Sequence, residues 1–159
     1  MMADIDPGSG MFDVNLQMVY VPLINHTDSI VFHLDEAFSI GSLSAQELVR
    51  YELNEGGRLV LYIQDPVAAG DQVHVSMSYS GRTECKLSPG EDSLIIDSAL
   101  NWFPISDDIP LMTYRLRIGF SESYHMDGEN VGGKSNKTYL LESLEPESSI
   151  RFFILRDTV

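Results

Sequence analysis

The segment Gln72–Ser80, with the sequence QVHVSMSYS, alternates strictly between apolar and polar residues. Val73, Val75, Met77 and Tyr79 occupy every second position, and the positions between them are Gln, His and Ser. Successive side chains of a β-strand point to opposite faces of a sheet, so this pattern places the apolar residues on one face. The segment therefore predicts an antiparallel strand that is buried on one side and hydrated on the other.

The same alternation predicts a second long strand at Leu111–Phe120, where Tyr114, Leu116 and Ile118 face inward and Arg115 faces water. Other short runs rich in apolar and β-branched residues predict further strands. These runs are Asp13–Leu23, Ser29–Leu34, Phe38–Leu43, Leu48–Leu53, Arg58–Gln64, Ser93–Ile96, Lys137–Leu141 and Ile150–Leu155. The sequence thus predicts roughly ten strands.

Turn-forming residues separate these runs, often about 8 to 12 residues apart. They are Asn25–Asp28, Asn54–Gly57, Asp65–Gly70, Ser88–Gly90 and Gly128–Gly133. Short strands at this spacing predict an all-β domain, either an antiparallel β-sandwich or a barrel-like sheet. One stretch, Ser44–Arg50, is also compatible with a helical turn, but no 3.6-residue period is sustained elsewhere.

The length of 159 residues fits one domain, since domains average about 150 residues. Residues 1–10, MMADIDPGSG, contain a doubled Met and a Pro-Gly-Ser-Gly run without apolar periodicity. We therefore expect residues 1–10 to be a leader or linker outside the fold. The remaining residues, 11–159, are expected to form a single β-sandwich domain.

The chain is acidic, with 10 Lys and Arg against 24 Asp and Glu and a formal net charge of −14. Binding to a phosphate backbone requires clustered cations, so nucleic acid is not an expected partner. The sequence also contains no run of about 18 apolar residues, which argues against membrane insertion by this segment. The single cysteine, Cys85, leaves the cellular compartment undetermined.

The residue types that most often carry catalysis are scarce and scattered. His26, His33, His74 and His125 lie on four different predicted elements, and the zinc motif H-E-x-x-H is absent. Cys85 has no evident His partner, so a passive thiol is expected. The run Gly128–Ser135 matches the phosphate-loop pattern literally, but a predicted strand follows where that motif needs a helix. The sequence therefore predicts no catalytic residue, cofactor or metal ligand, and a protein that is not an enzyme.

Two short segments are candidates for an interface or a binding site. Trp102 and Phe103 combine the only Trp of the chain with a second aromatic ring, which suits either a core anchor or a stacked ligand. Asp127 and Glu129 flank a Gly in a loop whose oxygen atoms could face a calcium ion, but the rest of the EF-hand pattern is absent and a hydrated hairpin tip is favoured. We therefore consider all four residues as possible interface or binding residues.

The order of the elements resembles the N-terminal β-domain of zinc aminopeptidases of the aminopeptidase N type. The resemblance covers about Val14–Leu155, and each of its motifs is short. The segments that carry it are VYVPLINHTDSIVFHLD at Val19–Asp35, FSIGSLS at Phe38–Ser44, the turn Pro66–Asp71, VHVSMSYSG at Val73–Gly81, NWFP at Asn101–Pro104 and the strand Tyr114–Phe120. For the fold, the resemblance implies a saddle-like sheet as the alternative to a sandwich.

For function, the resemblance implies a part of a larger protein. In that family the zinc ligands, the general-base Glu and a Gly-x-Met-x-Asn loop lie in a following catalytic domain, and none of them occurs here. Asp97–Asp108 lacks the Gln that many members use to contact substrate. We also expect the first strand of the family to be short or missing. The expected role is a non-catalytic β-domain that braces or covers a catalytic domain of the same parent protein or of another protein. The alternative is a stand-alone recognition sandwich that binds a protein or a carbohydrate.

Overall fold

A computed structural model describes residues 1–25, 28–106, 112–120, 123–135, 138–147 and 149–157. Thirteen strands and one short 3₁₀ turn, Ser98–Leu100, lie within these ranges. The strands are β1 (Met2–Asp6), β2 (Met11–Tyr20), β3 (Ser29–His33), β4 (Phe38–Ala45), β5 (Leu48–Asn54), β6 (Arg58–Ile63), β7 (Val73–Arg82), β8 (Ser93–Ile96), β9 (Met112–Gly119), β10 (Tyr124–Asp127), β11 (Val131–Ser135), β12 (Thr138–Glu147) and β13 (Phe152–Arg156). The predicted all-β class is confirmed.

The largest sheet has seven strands in the order β11-β12-β9-β1-β2-β7-β4. Its described pairs are antiparallel except β1 with β9, which run parallel and place Ala3 beside Ile118. The alternation predicted for the strand over Gln72–Ser80 is confirmed, because Val73, Val75, Met77 and Tyr79 are all buried.

Residues 1–10 are part of this sheet, so the expectation that they lie outside the fold is wrong. Met2–Asp6 forms β1, with Ala3 and Ile5 buried and Met2 and Asp4 exposed. The expected linker is a tight turn in which the Asp6 carboxylate accepts hydrogen bonds from the Gly8 amide at 3.0 Å and the Ser9 hydroxyl at 2.6 Å. Only two apolar inward positions mark so short a strand, and one of them is alanine, so the pattern was too weak to predict it.

Two three-stranded sheets, β3-β6-β5 and β10-β13-β8, complete the structure. One apolar core joins all three sheets. For example, the rings of Tyr20 on β2 and Phe32 on β3 meet at 5.4 Å between centroids, while Trp102 contacts both Phe12 on β2 and Phe152 on β13. The small sheets are therefore fixed to the large sheet by aromatic packing.

The helical turn considered at Ser44–Arg50 is not present. β4 ends at Ala45, a turn follows, and β5 begins at Leu48. Glu47 in this turn has a positive φ of 56°, which lets the chain reverse between the two strands. The reversal carries the chain from the seven-stranded sheet into the sheet β3-β6-β5, a change that a short local pattern does not reveal. Within the described ranges, no helix has the length and apolar character needed to cross a bilayer.

Candidate interaction surface

Trp102 and Phe103 are core residues. The Trp102 side chain has 0% exposure, and its ring lies 5.1 Å from that of Phe103 between centroids. The Tyr79 hydroxyl donates a hydrogen bond to the Trp102 carbonyl oxygen at 2.9 Å, which ties this segment to the large sheet. This is the position expected of a core anchor, and no side-chain surface of Trp102 is accessible to a ligand in this structure.

The segment after Trp102 extends the three-stranded sheet β3-β6-β5. His33 and Ile105 form a pair of backbone hydrogen bonds, 2.7 Å from the His33 amide to the Ile105 carbonyl and 3.0 Å in the reverse direction. Ile105 therefore lies beside the edge of β3, opposite β6. Trp102 is buried because its flanking backbone crosses between two sheets and is bonded to both.

Asp127 and Glu129 lie at the exposed turn between β10 and β11. One carboxylate oxygen of Asp127 accepts a hydrogen bond from the Gly128 amide at 2.8 Å, as in an ordinary turn. Across the described part of the chain, no group of three or more His, Cys, Asp or Glu residues is arranged to hold a metal ion. Since Trp102 is buried and this turn is exposed, the predicted residues do not share one accessible surface.

The phosphate-loop match at Gly128–Ser135 also has an ordinary explanation. Strand β11 begins at Val131 and pairs with β12, so no helix opens at this glycine-rich segment. His33, His74 and His125 lie on three different strands, and His26 is outside the described residues. Burial, with a smaller contribution from Asp97, raises the pKa of the Cys85 thiol, which keeps it protonated at neutral pH.

The feature that sequence reasoning missed is an apolar groove at one end of the large sheet. It encloses about 370 Å³ and is lined by β2, the start of β9 and the segment after Trp102. Its walls include Leu16, Met18, Val19, Tyr20, Phe32, Phe103, Ile105, Tyr114, Leu116 and Ile150. Residues from such distant parts of the sequence give no common local signal.

A row of exposed apolar side chains continues from this groove, and we call it the apolar rim: Val19, Val21, Leu23 and Ile24. Leu23 is 66% exposed and Ile24 57%, whereas apolar residues of a monomeric surface are usually scattered singly. The rim has a fixed backbone, because the Pro22 carbonyl oxygen accepts a hydrogen bond from the Gly70 amide at 2.9 Å. Exposed apolar residues grouped in this way mark a candidate surface for contact with another protein.

A polar network supports the groove wall at Tyr114. Its hydroxyl donates to a Glu147 carboxylate oxygen at 3.1 Å, and the Asn130 side-chain amide donates to both Tyr114 at 2.9 Å and Glu147 at 2.9 Å. The Ser143 hydroxyl donates to Glu147 at 2.8 Å. These contacts join β9, the β10–β11 turn and the irregular end of β12, where the register shifts between Ser143 and Glu147.

We predict that acid weakens the fold through Glu147. Hydrogen bonds from Ser143, then Asn130, hold the pKa of this carboxyl below its ordinary value. A carboxyl with a lowered folded-state pKa stabilises the fold above its unfolded pKa, and this stabilisation is lost as the pH falls through the folded-state pKa. Urea unfolding at a series of pH values measures this effect. As the pH falls below about 4.3, the free energy of unfolding should decrease less for Glu147→Gln than for the parent chain.

Asp6 provides the control for this experiment. The Ser9 hydroxyl also lowers the pKa of Asp6, but this group lies in the β1–β2 turn. Asp6→Asn should therefore remove a separate part of the acid dependence, and the two substitutions should add. An unchanged pH dependence in Glu147→Gln would contradict the proposed contribution of the network.

No known family model matches the sequence, and no curated protein matches it. By structure, however, the chain has the fold of part of an M1 zinc metallopeptidase. The M1 zinc metallopeptidase from Deinococcus radiodurans superimposes with a TM-score of 0.74 at 12% sequence identity. Leukotriene A4 hydrolase from Saccharomyces cerevisiae superimposes with a TM-score of 0.67 at 10% identity. The resemblance seen in the sequence is thus confirmed at the level of the fold.

The shared region is a small part of the matched proteins. The comparison covers 97% of this chain but 40% of the Deinococcus radiodurans chain, and 99% of this chain but 28% of the yeast hydrolase. The chain therefore spans less than half the length of these solved structures.

Proposed function

We propose that this chain is a non-catalytic β-domain that braces or covers a separate catalytic domain, in the same parent protein or in another protein. The observation that carries this proposal is the partial match, in which 97% of the chain corresponds to 40% of an M1 zinc metallopeptidase. The sequence also lacks the H-E-x-x-H motif that supplies two zinc ligands and a general base in many zinc peptidases.

The apolar rim and the adjoining groove supply a surface suited to this role. Leu23 and Ile24 are mostly exposed, while Val19 belongs to both the rim and the groove. Covering such side chains with a second domain removes apolar area from water, at about 25 cal/mol per Å². In this proposal the catalytic domain packs on the rim, and the network at Glu147 keeps the groove wall in place.

The gene that encodes the chain offers the first test. We expect an H-E-x-x-H sequence, followed by a Glu as third zinc ligand, in the same reading frame or in an adjacent gene. The encoded catalytic segment should then be produced separately and mixed with the chain. A stable complex supports the proposal, whereas a gene neighbourhood without any such segment argues for the recognition-module alternative.

The rim should control the affinity of that complex. Leu23→Asp places a charge in the proposed contact, so we expect the dissociation constant to rise about tenfold or more in a calorimetric titration. Leu144→Asp makes the same change at a residue that is 77% exposed and lies outside the rim and groove, and it should leave the affinity unchanged. Unfolding curves must show that both variants are folded. Equal affinities for the two variants would contradict docking at the rim.

A further inference from the structure

We propose that the chain pairs with a second copy of itself through the edge strand β5. In the sheet β3-β6-β5, the described part of the structure gives β5 a strand neighbour on one side, β6. An edge strand presents backbone N–H and C=O groups that can pair with another strand. The second copy would add its own β5 in antiparallel orientation and extend the two small sheets into one, through a two-fold symmetric contact.

The other sheet edges are less suitable, and the open side of β3 already pairs with Ile105. β8 and β10 have four residues each, β4 is interrupted by a register shift between Ile40 and Ser42, and β11 by one between Val131 and Lys134. Such short or irregular edges discourage pairing. β5 also begins with a shift, between Leu48 and Arg50, but its register is regular from Arg50 to Asn54.

The side chains of β5 are complementary to a second copy in one register. When two antiparallel copies are centred on Tyr51, Arg50 lies opposite Glu52 of the second copy, and Glu52 lies opposite Arg50 of the second copy. Opposite charges at directly facing positions stabilise a strand pair, and like charges destabilise it. Centring the pair on Glu52 would instead place two Glu side chains opposite each other, and centring it on Arg50 would do the same with two Arg side chains.

The structure already holds these two charged groups on one face of the sheet. Arg50 lies 3.9 Å from the centroid of the Tyr62 ring, and it forms an ion pair with Glu52 of the same chain. The Tyr62 hydroxyl donates a hydrogen bond to the other Glu52 carboxylate oxygen at 3.1 Å. Both charged side chains therefore lie on the face of β5 beside the open edge, where the second copy would meet them.

The apolar residues of β5 support the same register. Val49 is 64% exposed and Tyr51 is 39% exposed. With Tyr51 at the centre, Tyr51 faces Tyr51 of the second copy, and Val49 lies at the register shift next to this regular part of the strand. Pairing therefore covers exposed apolar side chains in addition to forming backbone hydrogen bonds.

Charge reversal provides the test. Sedimentation equilibrium of the 159-residue chain should show a monomer–dimer equilibrium. It should be measured at about 0.15 M salt, where the repulsion between two acidic copies is screened beyond about 8 Å. Arg50→Glu or Glu52→Arg alone places like charges opposite each other at both symmetric positions, so each should weaken the dimer about tenfold or more. The double variant R50E/E52R restores opposite charges and should return the dissociation constant to within about threefold of the parent value.

Two further measurements locate the contact. Arg117→Glu makes the same charge change on β9, inside the large sheet, and should leave the dissociation constant unchanged. Amide hydrogen exchange should show protection within β5 that increases with protein concentration. A chain that is monomeric at every concentration, or a dimer that responds equally to Arg50→Glu and Arg117→Glu, would overturn the proposal. Unfolding curves for each variant separate loss of pairing from loss of fold.

Discussion

Replacing Trp102 by alanine should lower the free energy of unfolding by about 3–5 kcal/mol, as expected for removal of a large buried aromatic side chain. Trp102 has no exposed side-chain surface, and its ring packs at 6.1 Å from Phe12 and 6.0 Å from Phe152 between centroids. The substitution would therefore open a cavity where the large sheet meets the sheet β10-β13-β8. Urea unfolding followed by circular dichroism measures the effect.

Two controls refine the Trp102 experiment. Trp102→Phe keeps an aromatic ring and removes an indole N–H that has no hydrogen-bond partner among the described residues, so its effect should be clearly smaller. Leu144→Ala, at a well-exposed position, should change the stability by less than about 0.5 kcal/mol. If Trp102→Ala were as mild as Leu144→Ala, the position of Trp102 at the junction of the sheets would be wrong.

Replacing Gly57 by alanine should lower the free energy of unfolding by about 3 kcal/mol or more. Gly57 has a φ of 76°, a region that residues with a Cβ adopt only with strain. In addition, a Cβ at this position would meet the Leu34 carbonyl oxygen well inside contact distance. The Gly57 carbonyl also accepts a hydrogen bond from the Leu34 amide at 2.8 Å, so the two segments cannot separate without breaking it.

The neighbouring glycine is a matched control for this prediction. Gly56 has a similar φ of 85°, but a Cβ there would find nothing within 4 Å. Gly56→Ala should therefore show only the backbone strain, about 1 kcal/mol. The difference between the two variants in thermal or urea unfolding measures the close approach to Leu34. Equal effects would mean that this contact does not contribute.

Long strands with regular alternation could be predicted from the sequence, because local periodicity alone decides which side of such a strand is buried. β7 and β9 are the clearest cases. The short strands β1, β10 and β11 were missed for the opposite reason. β10 has four residues, and β11 begins in the glycine-rich stretch that was predicted as a turn. Their strand character comes from partners that lie far away in the sequence.

The candidate surface was even less accessible to sequence reasoning. The sequence drew attention to Trp102 because large aromatic residues serve both cores and interfaces, and composition does not distinguish these roles. Burial resolved the question, since it depends on how the segment after Trp102 crosses beside β3. The exposure of Leu23 and Ile24 could not be predicted from the sequence, because apolar residues at or just after the end of a predicted strand are ordinary. Their exposure is a property of the assembled sheets.

The position of β1 has a consequence for the order of folding. This strand lies between β2 and β9, so it joins the two halves of the seven-stranded sheet. Its pairing with β2 requires only a tight turn and can form early. Its parallel pairing with β9 aligns Met2 with Arg117 and must wait until β9 has been synthesised. Closing such a long loop is slow, so β1 completes its hydrogen bonding later than a strand whose two neighbours are both close in sequence.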